Sequence, residues 1–359
     1  MKDQLASDVL AKVMRWGAAE VTDAGPKLQM LAAQKYDGYE GYKPGVKFLE
    51  NLSAWLAQFA SLEDRRLALR FVLDDLVFIS RAELDHLIQT VYPDVIRPMV
   101  VREAAERLGI SRFAVERIVS SPVFEEIQRK LLVLGLSDGA RIDRLRRSSP
   151  GLSHEQIYLV PDLGDDVIRD AVASLRARLK DEAPQFEHVL LVDDFYGSGT
   201  TLLRENTNPP PPYKGRLWRA HDTLAHWAEA GFLIGNYRVA ILVYIASSTA
   251  IEHVEATLAQ AQLEWKLIPI LPLPSSLKID SNDLKTLCEW HYDDVLVDRH
   301  KPTRAPLGFG DAALPLVLYH NAPNNSICLL WADTTDREES TLKRRALFPR
   351  YERHREDRA

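Results

Sequence analysis

The feature that most constrains this chain is an alternation between Leu131 and Leu273, in which short apolar runs are followed by longer amphipathic segments. LLVLGL (131–136), IYLV (157–160), HVLLVDD (188–194), YRVAILVYIAS (237–247) and WKLIPILPL (265–273) show little polar alternation, as strands buried on both faces do. Between them, DDVIRDAVASLRARLKDE (165–182), LWRAHDTLAHWAEAG (217–231) and TAIEHVEATLAQAQ (249–262) repeat apolar residues at the helical period. Val167, Ile168, Val172 and Leu175 form the inward stripe of the first, and Gly231 ends the second. Strands alternating with helices predict an α/β fold, a mostly parallel sheet with helices on both faces.

Upstream the texture differs, and residues 1–129 read as an all-helical region preceding an α/β domain at 130–359. VKFLENLSAWLAQFASL places Phe48, Leu49, Leu52, Trp55, Leu56 and Phe59 on one stripe. RRLALRFVLDDLVFIS, AELDHLIQTVYPDVI and VREAAERLGI continue the pattern, punctuated by Pro44, Pro93 and Pro98. Ala104–Val115 resembles the first helix and turn of a helix-turn-helix. Pro122 cuts the following segment short, so a packing helix pair is the better reading and direct DNA binding by 1–129 is not expected.

Composition excludes several classes. The 359 residues suit two domains. A net charge of −6 does not suit a general nucleic-acid or membrane coat. Cys288 and Cys328 cannot build a disulfide framework or a four-thiolate zinc site. Cys288, His291, Asp293 and Asp294 match no metal-site spacing. Asp3 and Asp8 without a long apolar core argue against a signal peptide, and no apolar run reaches about 18 residues. A soluble protein of a reducing cytoplasm, without a membrane partner, is the expectation.

The chemistry concentrates in Val189-Leu-Leu-Val-Asp193-Asp194-Phe195-Tyr196-Gly197-Ser198-Gly199-Thr200-Thr201-Leu202. A buried strand delivers two carboxylates to its C-terminal end, where parallel sheets bind ligands. Gly197 and Gly199 let backbone approach a ligand, and Ser198, Thr200 and Thr201 add hydroxyls. Successive amides in such a loop can cradle a phosphate. Adjacent carboxylates call for partners such as sugar hydroxyls or a hydrated Mg²⁺.

This run resembles the phosphoribosyl-pyrophosphate (PRPP) signature of type I phosphoribosyltransferases. The resemblance implies that Asp193 and Asp194 hold the ribose hydroxyls and Mg²⁺, and that Gly197, Ser198, Gly199, Thr200 and Thr201 bind the 5′-phosphate. LLVLGL followed by Ser137-Asp138-Gly139-Ala140-Arg141 then occupies the place of the first strand and its pyrophosphate loop, with Asp138, Gly139, Ala140 and Arg141 as ligand residues. A plain helix cap with Asp138 as N-cap is an equal reading of that stretch. Arg141, Arg144 and Arg147 share a helical face that reads as solvated ahead of a polyphosphate clamp.

The C-terminal stretches Leu307–Asp311, Leu318–Asn325, Leu329–Trp331 and Leu347–Arg350 resemble the PRTase-CE effectors of bacterial conflict systems. That family implies anti-phage loci, some of them retrons, with a reverse transcriptase and its RNA–DNA product as partners in a defence complex. Tight-turn chemistry accounts for Asn324 and Asn325; a base- or acceptor-binding role for His320, Asn321, Asn324 and Asn325 is the rival reading. Two departures stand out. Asn206–Gly215, with four consecutive prolines, interrupts the helix that should follow the phosphate loop, and no base-specific hood is recognisable. The expected activity is that of a phosphoribosyltransferase-like enzyme. The alternatives are a non-catalytic nucleotide sensor on the same fold and an interaction subunit working through 1–129.

Overall fold

The computed structural model describes residues 3–159, 164–297 and 303–350. The chain forms two compact units, one of residues 1–83 with 276–359 and one of residues 84–275. The change of texture at Lys130 thus falls inside the second unit.

In the first unit, helices α1 (Asp3–Met14), α2 (Ala18–Gln34), α3 (Phe48–Ala57) and α4 (Leu62–Arg70) lead to strand β1 (Val77–Ile79). The strand corrects the helical expectation for FVLDDLVFIS. Helical backbone ends in a wide turn at Phe71–Asp75, and Val77, Phe78 and Ile79 instead pair in parallel with Leu316, Val317 and Leu318. β-Branched residues fit that pairing well, but no local pattern announces a partner so distant in sequence. The predicted stripe of α3 is buried, and its polar members reach the C-terminal segment. Trp55 Nε1 donates to the Leu329 carbonyl at 2.9 Å, and Asn51 Nδ2 donates to the Leu347 carbonyl at 2.7 Å. Phe348 is fully buried, with Tyr36, Tyr39, Tyr42, Phe48 and Phe78 around its ring. A fully buried aromatic of this kind contributes about 2–3 kcal/mol, so the N-terminal helices depend on the far end of the chain for their core.

The second unit carries the sheet. Its strands are β2 (Leu131–Gly135), β3 (Ile157–Leu159), β4 (Phe186–Tyr196), β7 (Leu233–Ser247) and β8 (Lys266–Leu273), all parallel, in the order β3-β2-β4-β7-β8. Between β4 and β7 lies a short antiparallel hairpin, β5 (Arg204–Glu205) with β6 (Tyr213–Lys214). The expected strand at 157–160 is present through Leu159; Val160 lies outside the described residues. β2, β4 and β7 are central, which explains their unbroken apolar character. Helices α10 (Asp165–Leu179), α11 (Arg216–Glu229) and α12 (Ser248–Gln260) cover one face. Ile168, Leu175, Leu217, Leu224, Trp227 and Val254 there join Leu132, Leu134, Val189, Leu191, Ile241 and Val243 in one core. On the other side, α9 (Ile142–Ser148) comes so close to β2 that a Cβ at Gly135 would lie 2.7 Å from Ile142 Cγ1.

Of the Ala104–Val115 stretch, 104–108 end helix α6 (Arg97–Leu108), which follows α5 (Arg81–Thr90), and a turn leads to the five-residue helix α7 (Val115–Val119) and then α8 (Pro122–Arg129). Among the described residues no helix is long and apolar enough to cross a membrane.

Candidate functional site

Strand order places the site. From β2 the chain moves outward to β3, then returns to β4 on the other side of β2 and proceeds through β7 to β8. The direction reverses between β2 and β4, and in open α/β sheets the crevice for ligands opens at the carboxyl ends of such a pair. The loop after β2 carries residues 137–141 and the loop after β4 carries residues 197–201, so both predicted segments stand at this point.

The two segments touch. A Cβ at Gly139 would lie 2.3 Å from Asp194 Oδ2 and 2.5 Å from its Cγ, so the Asp194 carboxylate rests on the bare α-carbon of Gly139. Ser137 Oγ donates to Asp193 Oδ1 at 2.5 Å. Tyr244, on neighbouring β7, donates its hydroxyl to the Ala140 carbonyl at 2.8 Å and pins the loop from below. Arg141 closes the turn with left-handed backbone, φ 47°, ψ 44°, an uncommon conformation for a residue with a Cβ. Asp138 begins a short helical turn, Asp138–Ala140, whose capping position is Ser137, so the N-cap reading of Asp138 does not hold.

The adjacent acids separate. Neighbours in an extended strand point to opposite faces, and Asp193 points to the face covered by α11. It is 0% exposed, and Arg216 Nη1 donates to its Oδ2 at 2.6 Å while Ser137 holds its other oxygen. Burial pushes its pKa up to about 7 and the charge of Asp194 adds to the push; the Arg216 guanidinium and the Ser137 hydroxyl oppose it. Asp194 lies on the opposite face with Gly139 and is partly exposed. The structure therefore brings Asp194, and not Asp193, to the open side of the crevice.

The loop after β4 is a tight turn. Gly199 has φ +75° and packs on α12, where a Cβ would lie 3.0 Å from both His253 and Val254. The Ser247 hydroxyl donates to the Gly197 carbonyl, and His253 Nε2 lies 2.9 Å from the Leu203 carbonyl oxygen. Leu202 and Leu203 donate their amides back to the Gly199 carbonyl. Among the described residues, the amides of Ser198, Gly199, Thr200 and Thr201 find no acceptor within the chain. The Ser198 and Thr200 hydroxyls are 3.1 Å apart beside them. Successive N–H groups without an acceptor, beside two hydroxyls, are the kind of donor set that binds an anion.

The proline insertion leaves this turn without its own helix. Chain 204–214 closes as the β5–β6 hairpin, with Asn206 Nδ2 donating to the carbonyls of Asn208 and Pro211. The next helix is α11. It starts at Arg216, whose amide reaches the Thr201 carbonyl at 3.4 Å, while Leu217 donates to the Leu202 carbonyl at 2.9 Å. Displacing the helix start brings Arg216 to the site. Sequence reading missed this residue because the pair spans 23 positions and a hairpin; the only local signal was Gly215-Arg216 opening an amphipathic run. On α9, Arg144 lies 3.8 Å from Asp85 and Arg146 donates to the Ile157 carbonyl, so that helix uses these cations partly inside the fold.

Of the residue types at this crevice, the carboxylates are those a Mg²⁺ ion would use. Asp194 and the exposed Asp138 offer hard carboxylate oxygens, and Mg²⁺ ordinarily takes one or two carboxylates together with substrate phosphates and water. A second acidic group, Glu103, Glu187 and His188, sits at the amino end of β4. Arg107 pairs with both of its glutamates, Lys130 pairs with Glu187 at 2.9 Å, and Arg238 pairs with Glu103 at 3.1 Å. His188 Nε2 lies 2.9 Å from Glu103. Although burial opposes it, His188 and Arg107 pull the Glu103 pKa down to about 2. These carboxylates are already neutralised by cations.

The C-terminal motifs belong to the first unit. Asn325 Nδ2 donates to the Phe309 carbonyl at 2.9 Å, and the Asn324 carbonyl accepts the Phe309 amide at 2.7 Å. A Cβ on Gly308, φ +83°, would strike the Asn325 carbonyl at 2.3 Å. The Leu307–Asp311 and Leu318–Asn325 strings thus clasp one another, and this contact uses Asn324 and Asn325 for local structure.

No curated protein matches the chain. The PRTase-CE family model matches residues 52–350, which takes in most of the chain, including both loops of the crevice, Arg216 and the C-terminal clasp. By that match, on a five-stranded parallel sheet of phosphoribosyltransferase-like form, the chain belongs to the PRTase-CE family.

Proposed function

We propose that the crevice between β2 and β4 binds PRPP, or a related phosphorylated ribonucleotide, together with Mg²⁺, and transfers its ribosyl group. The observation that carries this reading is the set of four unengaged amides at 198–201, placed at the switch point beside the Asp194–Gly139 contact. The amides and the Ser198 and Thr200 hydroxyls take the 5′-phosphate. Asp194 accepts hydrogen bonds from the ribose hydroxyls. The loop 138–141 faces the pyrophosphate, with Gly139 giving it close approach and Arg141 supplying charge. Asp193 acts from behind, holding Ser137 and Arg216.

The reaction breaks the bond from C1′ to the pyrophosphate oxygen and forms one from C1′ to an acceptor atom. The electron pair leaves with pyrophosphate, and the acceptor's proton goes to solvent or to the leaving group. Such a transition state resembles an oxocarbenium ion and needs no protein nucleophile. Fixing the sugar phosphate and stabilising charge on the leaving group supply most of the rate. Mg²⁺, when bound, adds positive charge at the pyrophosphate oxygens. In a bacterial anti-phage system, the setting the family suggests, this activity would serve an effector that depletes or modifies a nucleotide or nucleic acid. A reverse transcriptase and its RNA–DNA product are the partners expected to restrain it.

Incubation with PRPP, Mg²⁺ and candidate acceptors, monitored by pyrophosphate release, tests the proposal. Release by the wild type that falls at least about tenfold in Asp194→Asn is expected. Thermal stabilisation by PRPP without release would favour the nucleotide-sensor reading, and equal release by both proteins would remove Asp194 from the chemistry.

A further inference from the structure

Arg216 is not satisfied by the protein that surrounds it. Its side chain is 25% exposed, and one of its five N–H donors is bound, to a carboxylate that is wholly buried. Among the described residues its remaining donors have no partner. Asp193 joins three elements: its own strand β4, the β2 loop through Ser137, and the first residue of α11. The guanidinium is thereby held where the loops 137–141 and 197–201 converge, and the Arg216 amide is tied to Thr201. A second unsatisfied group lies in the same field. The Tyr196 hydroxyl is buried without a partner and feels the charges of Asp193 and Arg216. Asp193 is wholly buried while Arg216 is partly exposed, so a guanidinium held this way with open donors suits an anion that approaches from outside.

We infer that Arg216 is a binding residue for a phosphoryl group of the sugar-phosphate ligand, and that the buried Asp193 is the positioning residue that aims it. This inference rests on the reading of the crevice as a site for a phosphorylated pentose. It replaces a pair of acids on the ribose with one acid on the ribose, Asp194, and one acid behind an arginine. The planar guanidinium can present two parallel N–H donors to two phosphoryl oxygens, a fixed fork that an ammonium lacks.

Titration calorimetry on the full chain with Mg²⁺ tests it, with PRPP, ribose 5-phosphate and pyrophosphate as separate probes. Arg216→Gln should weaken PRPP binding by at least about tenfold, with partial recovery in Arg216→Lys. The probe whose binding weakens with it, ribose 5-phosphate or pyrophosphate, identifies the phosphoryl group. Arg216→Gln leaves Asp193 buried without its cation, a change that opposes folding, so the double variant Asp193→Asn/Arg216→Gln, which carries no such charge, is the second arm and should lose affinity equally. Wild-type affinity in the folded double variant would overturn the role of Arg216 while leaving the PRPP reading intact. Binding of none of the three probes by the wild type would overturn that reading, and this inference with it.

Discussion

Replacing Gly215 with alanine should unfold the joint between the phosphate cradle and Arg216. Gly215 has φ 128° and ψ 180°, a backbone region essentially reserved for glycine. An added Cβ would lie 2.1 Å from the Leu202 carbonyl oxygen and 2.5 Å from its carbonyl carbon. Relief requires a movement of roughly 1 Å, and the obstacle is backbone, not the end of a flexible side chain. Leu202 and Leu203 are 2% and 0% exposed, and the same carbonyl accepts the Leu217 amide at 2.9 Å. Backbone strain of about 1–3 kcal/mol and disturbed packing of two leucines together cost at least about 3 kcal/mol. That is a large part of the ~5–15 kcal/mol that holds a typical protein folded. Urea unfolding followed by circular dichroism measures it. Gly235→Ala is the control, since a Cβ at Gly235 meets nothing within 4 Å and its backbone is ordinary, and it should change stability by less than about 1 kcal/mol. If Gly215→Ala unfolds within about 1 kcal/mol of the wild type, the described junction of loop, hairpin and helix is wrong.

Gly139→Ala should keep the fold, since φ there is ordinary, but push the Asp194 carboxylate aside; PRPP affinity measured by calorimetry should fall at least about tenfold while the unfolding midpoint hardly moves. The raised Asp193 pKa means that the folded state holds this proton more tightly than the unfolded chain does, so the stabilisation is full below about pH 4 and is lost as pH rises through about 7. Wild-type stability should therefore drop between pH 5 and pH 8 by about 2 kcal/mol more than that of Asp193→Asn, as read from urea unfolding at the two pH values. Parallel pH curves for the two proteins would refute the buried-carboxyl account. Asn325→Ala should lower the free energy of unfolding by about 1–3 kcal/mol, through the lost bond to Phe309, without altering PRPP affinity in the same calorimetric assay.

The sheet was legible because central parallel strands leave a plain mark. Leu131–Gly135, Val189–Val192 and Val239–Ala246 are unbroken apolar runs in the sequence and are buried on both faces in the structure. The helices between them agree with their stripes to within about three residues, the usual latitude at helix ends. That loops 137–141 and 197–201 follow neighbouring parallel strands was legible because each comes directly after an unbroken apolar run. What escaped was every feature made by contacts distant in sequence. Asp193 and Asp194 look equivalent as letters, and only the strand's alternation and the arrival of α11 separate a buried partner of Arg216 from a carboxylate at the crevice. Val77–Ile79 looks helical until Leu316–Leu318 is beside it. For Asn324 and Asn325 the turn reading pointed to local backbone bonds, and Phe309, their partner, lies too far along the chain to be named from the string.

A crystal structure of the full chain with PRPP and Mg²⁺ tests the central claim most directly. The 5′-phosphate should lie against the amides of Ser198–Thr201 and the ribose hydroxyls within hydrogen-bond reach of Asp194, with Asp193 still turned inward to Arg216. Density for the ligand outside the crevice between β2 and β4, or a phosphate with no contact to those four amides, would contradict it.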